Sequence, residues 1–245
     1  MITKLLYTGI LPLLAFILSS CNVTMVTGSG HVVSETRQAS DFNRVELVGS
    51  GNVVLTQGSK EALKVEAEDN LMSYLRTEVR GHTLYLGFRD TLANEIIVPT
   101  RPVKFYVNLK TLEGLKISGS GNISAHELQA GQLALDVTGS GDIVIDSLTA
   151  QTVESSISGS GRVQLSQGTA PEQRVDIGGS GNYQGEKLAG QTVTVKISGS
   201  GNATVRAEET LEARITGSGD IRYYGTPRVT ESITGSGHLR AEGNR

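Results

Sequence analysis

The stretch LDVTGSGDIVI, residues 135–145, sets two glycines one residue apart inside what otherwise reads as a β-strand. Glycine weakens strand interiors. Yet the signature returns as LKISGSGNISA from Leu115, VKISGSGNATV from Val195 and RITGSGDIRYY from Arg214. Gly-Ser-Gly occurs nine times, beginning at Gly28, Gly49, Gly119, Gly139, Gly159, Gly179, Gly199, Gly217 and Gly235. From Gly119 the steps are 20, 20, 20, 20, 18 and 18 residues. These triplets hold 18 of the 30 glycines, so the glycine excess is an ordered repeat and not a flexible linker.

Alignment on the triplet exposes a period of two. Leu115, Ile117, Gly119, Gly121, Ile123 and Ala125 share one face, while Lys116, Ser118, Ser120, Asn122 and Ser124 share the other. Such alternation marks a strand buried on one side. This parity predicts that both glycines of each triplet face inward, as corners that let the chain bend. The corner set is Gly49, Gly51, Gly119, Gly121, Gly139, Gly141, Gly159, Gly161, Gly179, Gly181, Gly199, Gly201, Gly217, Gly219, Gly235 and Gly237. A unit of 20 residues cannot bury its own inner face, but stacked units can. The predicted fold is all-β: a parallel β-helix, or solenoid, of about 20-residue coils, right-handed as parallel crossovers are.

The step from Gly49 to Gly119 is 70 residues and interrupts the period. Residues 52–115 therefore read as a β-rich insert that covers a side or an end of the stack, where unpaired edges need protection. Within it, EDNLMSYLRTEV from Glu68 reads as a short helix with Leu71, Met72 and Leu75 on one side. VRGHTLYLGF reads as a hairpin turning at Arg80-Gly81.

Composition narrows the function. The formal net charge is -3 and no basic patch stands out, so nucleic acid is not a predicted partner. Aromatic residues are 4% of the chain and Trp is absent, so small and aliphatic side chains must fill the core. The one cysteine, Cys21, leaves no intrachain disulfide, and stability must come from packing and backbone pairing. Ahead of it, Lys4 and the apolar run from Leu5 to Leu18 form a segment too short for a membrane span of roughly 20 residues. Leu18-Ser19-Ser20-Cys21 resembles the lipobox of bacterial lipoproteins. That resemblance implies removal of residues 1–20, acylation of Cys21 and anchoring to the membrane through the lipid. Asn22 is not the Asp that commonly retains lipoproteins in the inner membrane, which implies the outer membrane.

The runs DFNRVELVGSGNVVLTQG, LKVEAEDNLMSYLRTEVRGHTLYLGF and PVKFYVNLKTLEGLKISGSGNI, followed by the GSGN/GSGD ladder, are similar to the head GIN domain. Members of that family of bacterial envelope proteins are usually labelled as autotransporter adhesins. The resemblance implies a β-helix-like fold in an exported, often lipidated protein. The chain then divides into a signal peptide (1–20), a lipidated tether carrying the first triplet (21–40), the solenoid domain (41–242) and a short tail (243–245). An autotransporter also carries a C-terminal membrane barrel. This chain ends HLRAEGNR, so lipid is the expected anchor.

Several chemistries lack their residues. There is no GxGxxG opening a helix and no GxxxxGK[ST], which argues against a nucleotide site. The period is 20 and not nine, and the Asp position varies to Asn, Arg162 and His238, which argues against a calcium ladder. His31, His82, His126 and His238 show no metal-ligand spacing. Asp142 and Asp220 lie several coils apart, and Asp136 and Asp176 two, so no glycosidase pair is evident. No cofactor, metal or catalytic residue is predicted. The candidate binding face is the outward polar row of Ser118, Ser120, Asn122, Thr138, Ser140, Asp142, Ser158, Ser160, Ser198, Ser200 and Asn202. Its expected ligand is a glycan or an envelope protein. A polysaccharide-acting β-helix enzyme and a passive envelope scaffold are the competing expectations.

Overall fold

The computed structural model describes residues 24–89 and 95–243. The leader and Cys21 lie outside the described residues. Stacked parallel coils of about 20 residues form a β-solenoid of about six turns, as the repeat predicts.

The pairing of one coil on the next shows how. Strand Asn122–Gly139 runs parallel to Asp142–Gly159 with a constant offset of one repeat: Asn122 faces Asp142, Leu128 faces Leu148, and Gly139 faces Gly159. Ile123 and Ala125 point inward, then Leu128, then Leu133, Leu135 and Val137. The inward parity therefore changes twice within a coil, near 126 and near 131. With the Gly-Ser-Gly corner this divides each coil into three straight segments. In this coil they are an exit segment (122–125), a return segment (127–130) and an approach segment (132–139).

Burial separates the two glycines of each triplet. In the triplets from Gly119 to Gly217 the second is buried, whereas the first is only half-buried and sits on the corner itself. The first glycines of the repeat, from Gly119 to Gly235, have φ between 120° and 140°, which L side chains rarely adopt. A Cβ on Gly139 would overlap the Gly119 carbonyl oxygen of the coil before. That carbonyl accepts two N–H groups from the next corner, Ser140 at 2.9 Å and Gly141 at 3.2 Å. The second glycine serves packing. A Cβ on Gly141 would meet Ile117 Cγ2, and one on Gly161 would meet Val137 Cγ1. Branched residues of one coil thus nest in the space left by glycines of the next. One inward column runs Ile117, Val137, Ile157, Ile177, Ile197 and Ile215, all buried.

The insert adds a layer to the end of the stack. Residues 52–57 belong to the first regular coil, because Asn52–Gln57 pairs with the exit segment 122–125. Below that coil, Thr83–Phe88 runs parallel to Arg44–Gly49, and Lys104–Leu109 runs parallel to Asn52–Gln57. Polarity then reverses. Leu75–Arg80 pairs antiparallel with Thr83–Phe88, Ala62–Glu68 with Lys104–Leu109, and Val32–Arg37 with Ala62–Glu68. The segment read as a tether thus supplies a cap strand.

The predicted helix reduces to the 3-10 turn Met72–Tyr74, because Leu75 starts the cap strand. A helix this short cannot offset its nucleation cost. The hairpin turns at Gly81-His82, one residue later than read, with φ of 54° and 63°. Two left-handed residues match the twist of a tight hairpin.

Two side chains lock this cap. Arg37 donates to the Leu75 carbonyl (3.0 Å), the Thr77 hydroxyl (3.0 Å) and the Met72 carbonyl (2.7 Å), joining the two edge strands. The buried Glu68 carboxylate accepts the N–H groups of Gly30 (2.6 Å), Thr100 (2.9 Å) and Arg101 (3.2 Å). Burial opposes its ionisation, but the Thr100 hydroxyl and these N–H donors outweigh it and hold its pKa below the usual carboxylate value.

The other end has no such cover among the described residues. Arg228–Gly235 pairs only with Asn202–Gly217, and His238–Ala241 only with Asp220–Tyr224. The inward column Leu115, Leu135, Ser155, Val175, Val195, Ala213 ends there in Glu231. A charge at a core-facing position on an edge strand discourages a further strand from adding.

Two outcomes follow from these contacts. Gly139→Ala will destabilise the fold by on the order of 2–4 kcal/mol in urea unfolding, from strain and overlap. Gly131→Ala, with open space around it, will change stability by less than about 0.5 kcal/mol. Equal effects would contradict the corner assignment. Glu231→Val will make the protein associate with rising concentration in light scattering, while the parent chain associates less.

Candidate functional site

The predicted binding row follows the Gly-Ser-Gly corner and is therefore a ridge. Thr138 and Ser158 stand side by side, but Gly178 lies between Ser158 and Ser198, so the hydroxyl row is broken. Ser120, Ser140, Ser160 and Ser200 are exposed at the corner tips. The residues that follow them are joined coil to coil. Asn122 Nδ2 donates to Asn52 Oδ1 (3.2 Å), and the Asp142 N–H donates to Asn122 Oδ1 (3.2 Å). Arg162 pairs with the Asp142 carboxylate at 2.8 Å. Asn202 Nδ2 donates to Asn182 Oδ1 (3.3 Å), and the Asp220 N–H donates to Asn202 Oδ1 (3.2 Å). This amide ladder ties coils together, and Ser118 is likewise held, its hydroxyl donating to Glu46 at 3.3 Å.

A concave site lies elsewhere, on the outer side of the approach segments. Arg44, Gly114, Ala134 and Glu154 are consecutive neighbours across four strands. Gly114 and Ala134 are too small to fill their positions, so the surface dips between the two long end residues. The parallel row beside it is Tyr85, Glu46, Lys116 and Asp136. Thr111, Leu112 and Glu113, where the insert rejoins the coils, form one wall, and Gly131, Gln132 and Thr152 the other. Two adjoining hollows, of about 490 Å3 and about 220 Å3, make up the groove and share Arg44 and Ala134.

Both signs of charge line it. Lys116 Nζ pairs with Glu46 at 3.1 Å, and Arg44 with Glu113 at 3.8 Å. Asp136 differs from its neighbours. Burial pushes its pKa above the usual carboxylate value, and the nearby Glu154 and Glu46 push the same way against the pull of Lys116 and Arg44. The other resolved carboxylate shifts in the described residues, at Glu61, Glu66, Glu68, Asp69, Glu78 and Asp220, are all downward. A cleft carboxylate shifted this way is a candidate functional position. The arrangement offers a polarisable acceptor beside an ammonium and a guanidinium. Among the described residues, no group of three or more His, Cys, Asp or Glu could hold a metal ion.

The groove is not legible as one outward row, because its residues come from 44–46, 85, 111–116, 131–136 and 152–154. The readable signal was the pair of small residues, Gly114 and Ala134, at an outward position that carries Arg44, Glu154 and Arg174 in other coils. Tyr183, on the inward parity, is buried and donates to Gln173 Oε1 at 3.3 Å; burial pushes its pKa up. It is core and not a ligand platform.

Residues 41–227 match the family described as "Putative auto-transporter adhesin, head GIN domain". No match was found among curated proteins. Among solved structures, the chain is similar to a "putative adhesin" from Bacteroides fragilis, with 25% identity and a TM-score of 0.81 over 88% of this chain and 99% of that one. It is similar to a "Putative lipid binding protein" from Parabacteroides distasonis, with 26% identity and a TM-score of 0.76 over 89% and 99%. A further "putative adhesin" from Parabacteroides distasonis is 27% identical, with a TM-score of 0.72 over 89% and 99%.

The Asp136 environment has a thermodynamic consequence. A carboxylate whose folded pKa is raised disfavours the folded state once it ionises, so stability falls as pH rises from the unfolded to the folded pKa. Asp136→Asn will therefore stabilise the protein at neutral pH in thermal melts. The gain will vanish in acid below the unfolded pKa of about 4. A gain independent of pH would refute the assignment.

Proposed function

The chain belongs to the head GIN domain family, and from that premise we propose that it is an exported binding module of the bacterial cell envelope that acts in adhesion without a catalytic step. A lipid on Cys21 holds it to the outer membrane. The observation that carries the binding reading is the groove over Gly114 and Ala134. Its floor is small, its walls carry both signs, and Tyr85 extends the flanking row. Such a surface suits a hydroxyl-rich glycan or a polar loop of an envelope protein, which form many weak hydrogen bonds at once. The relatives named as adhesins support this reading, and the one named as a lipid binding protein supports a place at the membrane.

The amide ladder supports a structural role for the corner ridge. Its polar groups already bond from coil to coil, whereas the groove walls leave room for a ligand to compete for Lys116, Asp136 and Glu154.

A second reading rests on Asp136. A carboxylate with a raised pKa near another carboxylate, here Glu154, is the chemistry of glycoside hydrolysis. The two readings part on one experiment. The chain from residue 22 onward, which keeps every described element, is applied to glycan and envelope-protein arrays and to capsular glycans. Ala134→Arg fills the groove and will weaken binding by about tenfold or more. Unchanged binding by that variant would sink the groove assignment. Asp136→Asn that binds normally but stops product release would favour the enzyme. Protease access to the protein on intact cells tests surface exposure, and the mass of the Cys21 peptide tests acylation.

A further inference from the structure

The capped end of the stack carries a second groove, beyond Tyr85 on the same outer sheet face as the first. It encloses about 470 Å3 at the outer edge of cap strand Leu75–Arg80, lined by Arg76, Thr77, Glu78, Arg80 and Arg89. Three guanidinium groups face one carboxylate there, in a chain whose formal net charge is -3. Glu78 is already engaged, since it pairs with Arg76 and with Arg80 (2.9 Å). Its pKa is held below the usual value: burial opposes ionisation, but the bonds from Arg76 and Arg80 outweigh it.

The remaining positive charge is positioned and not spent. Arg89 donates from Nε to the Leu75 carbonyl at 3.3 Å, and among the described residues it meets no carboxylate. Arg76 lies against the Tyr85 ring, 4.7 Å from its centroid. The Thr77 side chain lies on the opposite face of the strand, where its hydroxyl accepts from Arg37 at 3.0 Å. A groove walled by oriented guanidinium groups matches a tetrahedral oxyanion, and Arg recognises phosphate in a forked geometry.

Position narrows the source of that phosphate. The groove belongs to the cap below the first coil, the same end as the first described strand. Strand Thr24–Thr27 starts three residues after Cys21 and pairs with Glu95–Val98 at that end. Met25, Ile96 and Val98 on these strands are exposed, at 63%, 50% and 36%. Exposed apolar side chains and an arginine groove at one end of the stack form the pattern of a bilayer-facing surface. We propose that the Arg76–Arg80–Arg89 groove binds the phosphate of anionic lipid headgroups, so that the capped end rests on the membrane. This rests on the reading that Cys21 tethers the chain.

The test uses the chain from residue 22 onward, so that no acyl group contributes. It is sedimented with phosphatidylcholine vesicles and with mixed phosphatidylcholine–phosphatidylglycerol vesicles. The expected result is binding to the anionic vesicles alone, weakened roughly fivefold by each of Arg80→Gln and Arg89→Gln. Arg80→Lys and Arg89→Lys, which keep the charge and lose the fork, should weaken it less than the Gln variants do, and circular dichroism confirms that each variant is folded. Anionic-vesicle binding that ignores both Gln variants, or no vesicle binding at all, overturns the proposal. Binding of inorganic phosphate, read by calorimetry, without vesicle binding would assign the groove to a soluble phosphate ligand and overturn the lipid source. Absence of acyl mass on Cys21 in cells would remove the tether reading and leave the vesicle result to be judged separately.

Discussion

Each corner of the solenoid turns on one carbonyl oxygen. The first glycine of a triplet offers its C=O to two N–H groups of the next coil, as Gly119 does to Ser140 and Gly141. No side chain can stand beside that oxygen, because a Cβ on the glycine above would overlap it. The backbone angle needed there is also one that glycine alone adopts freely. Hydrogen bonding, sterics and conformation thus select the same residue at the same place in every coil. The strand register, the columns of isoleucine and the flat outer faces all depend on that repeated constraint.

A stack built this way has two ends and must treat each differently. At one end the polarity of pairing reverses, and Arg37 and the buried Glu68 close the cap. At the other, Glu231 occupies a core-facing position on the edge strand Arg228–Gly235. The asymmetry gives the molecule a direction. One end is continuous with the N-terminal segment and carries arginine and exposed apolar groups. The approach-face groove opens near that end as well, because Arg44, Glu46 and Tyr85 belong to the first coils of the stack.

The groove also shows why a repeat protein can bind specifically. Identical coils would make a featureless face. Relief appears where the repeat is broken, by Gly114 and Ala134 in place of long polar residues and by the chain rejoining at residues 111–113. The ordinary corner residues, including Asn122, Asp142 and Asn202, are occupied in bonds between coils.

Spacing along the chain was sufficient to read the coil, its length and its inward residues, since period-two alternation and a 20-residue recurrence are local properties of the order of amino acids. Parity alone put both glycines of a triplet inside. The fold separates them, because the chain changes direction at the first glycine and parity does not carry through a corner. The insert read as a cover of unknown placement; its strands extend the stack itself before reversing, an outcome set by pairing between residues such as Leu84 and Val45. The groove was invisible in sequence for the same reason. Its walls come from five separate stretches, and the burial that raises the Asp136 pKa exists only once the coils are stacked.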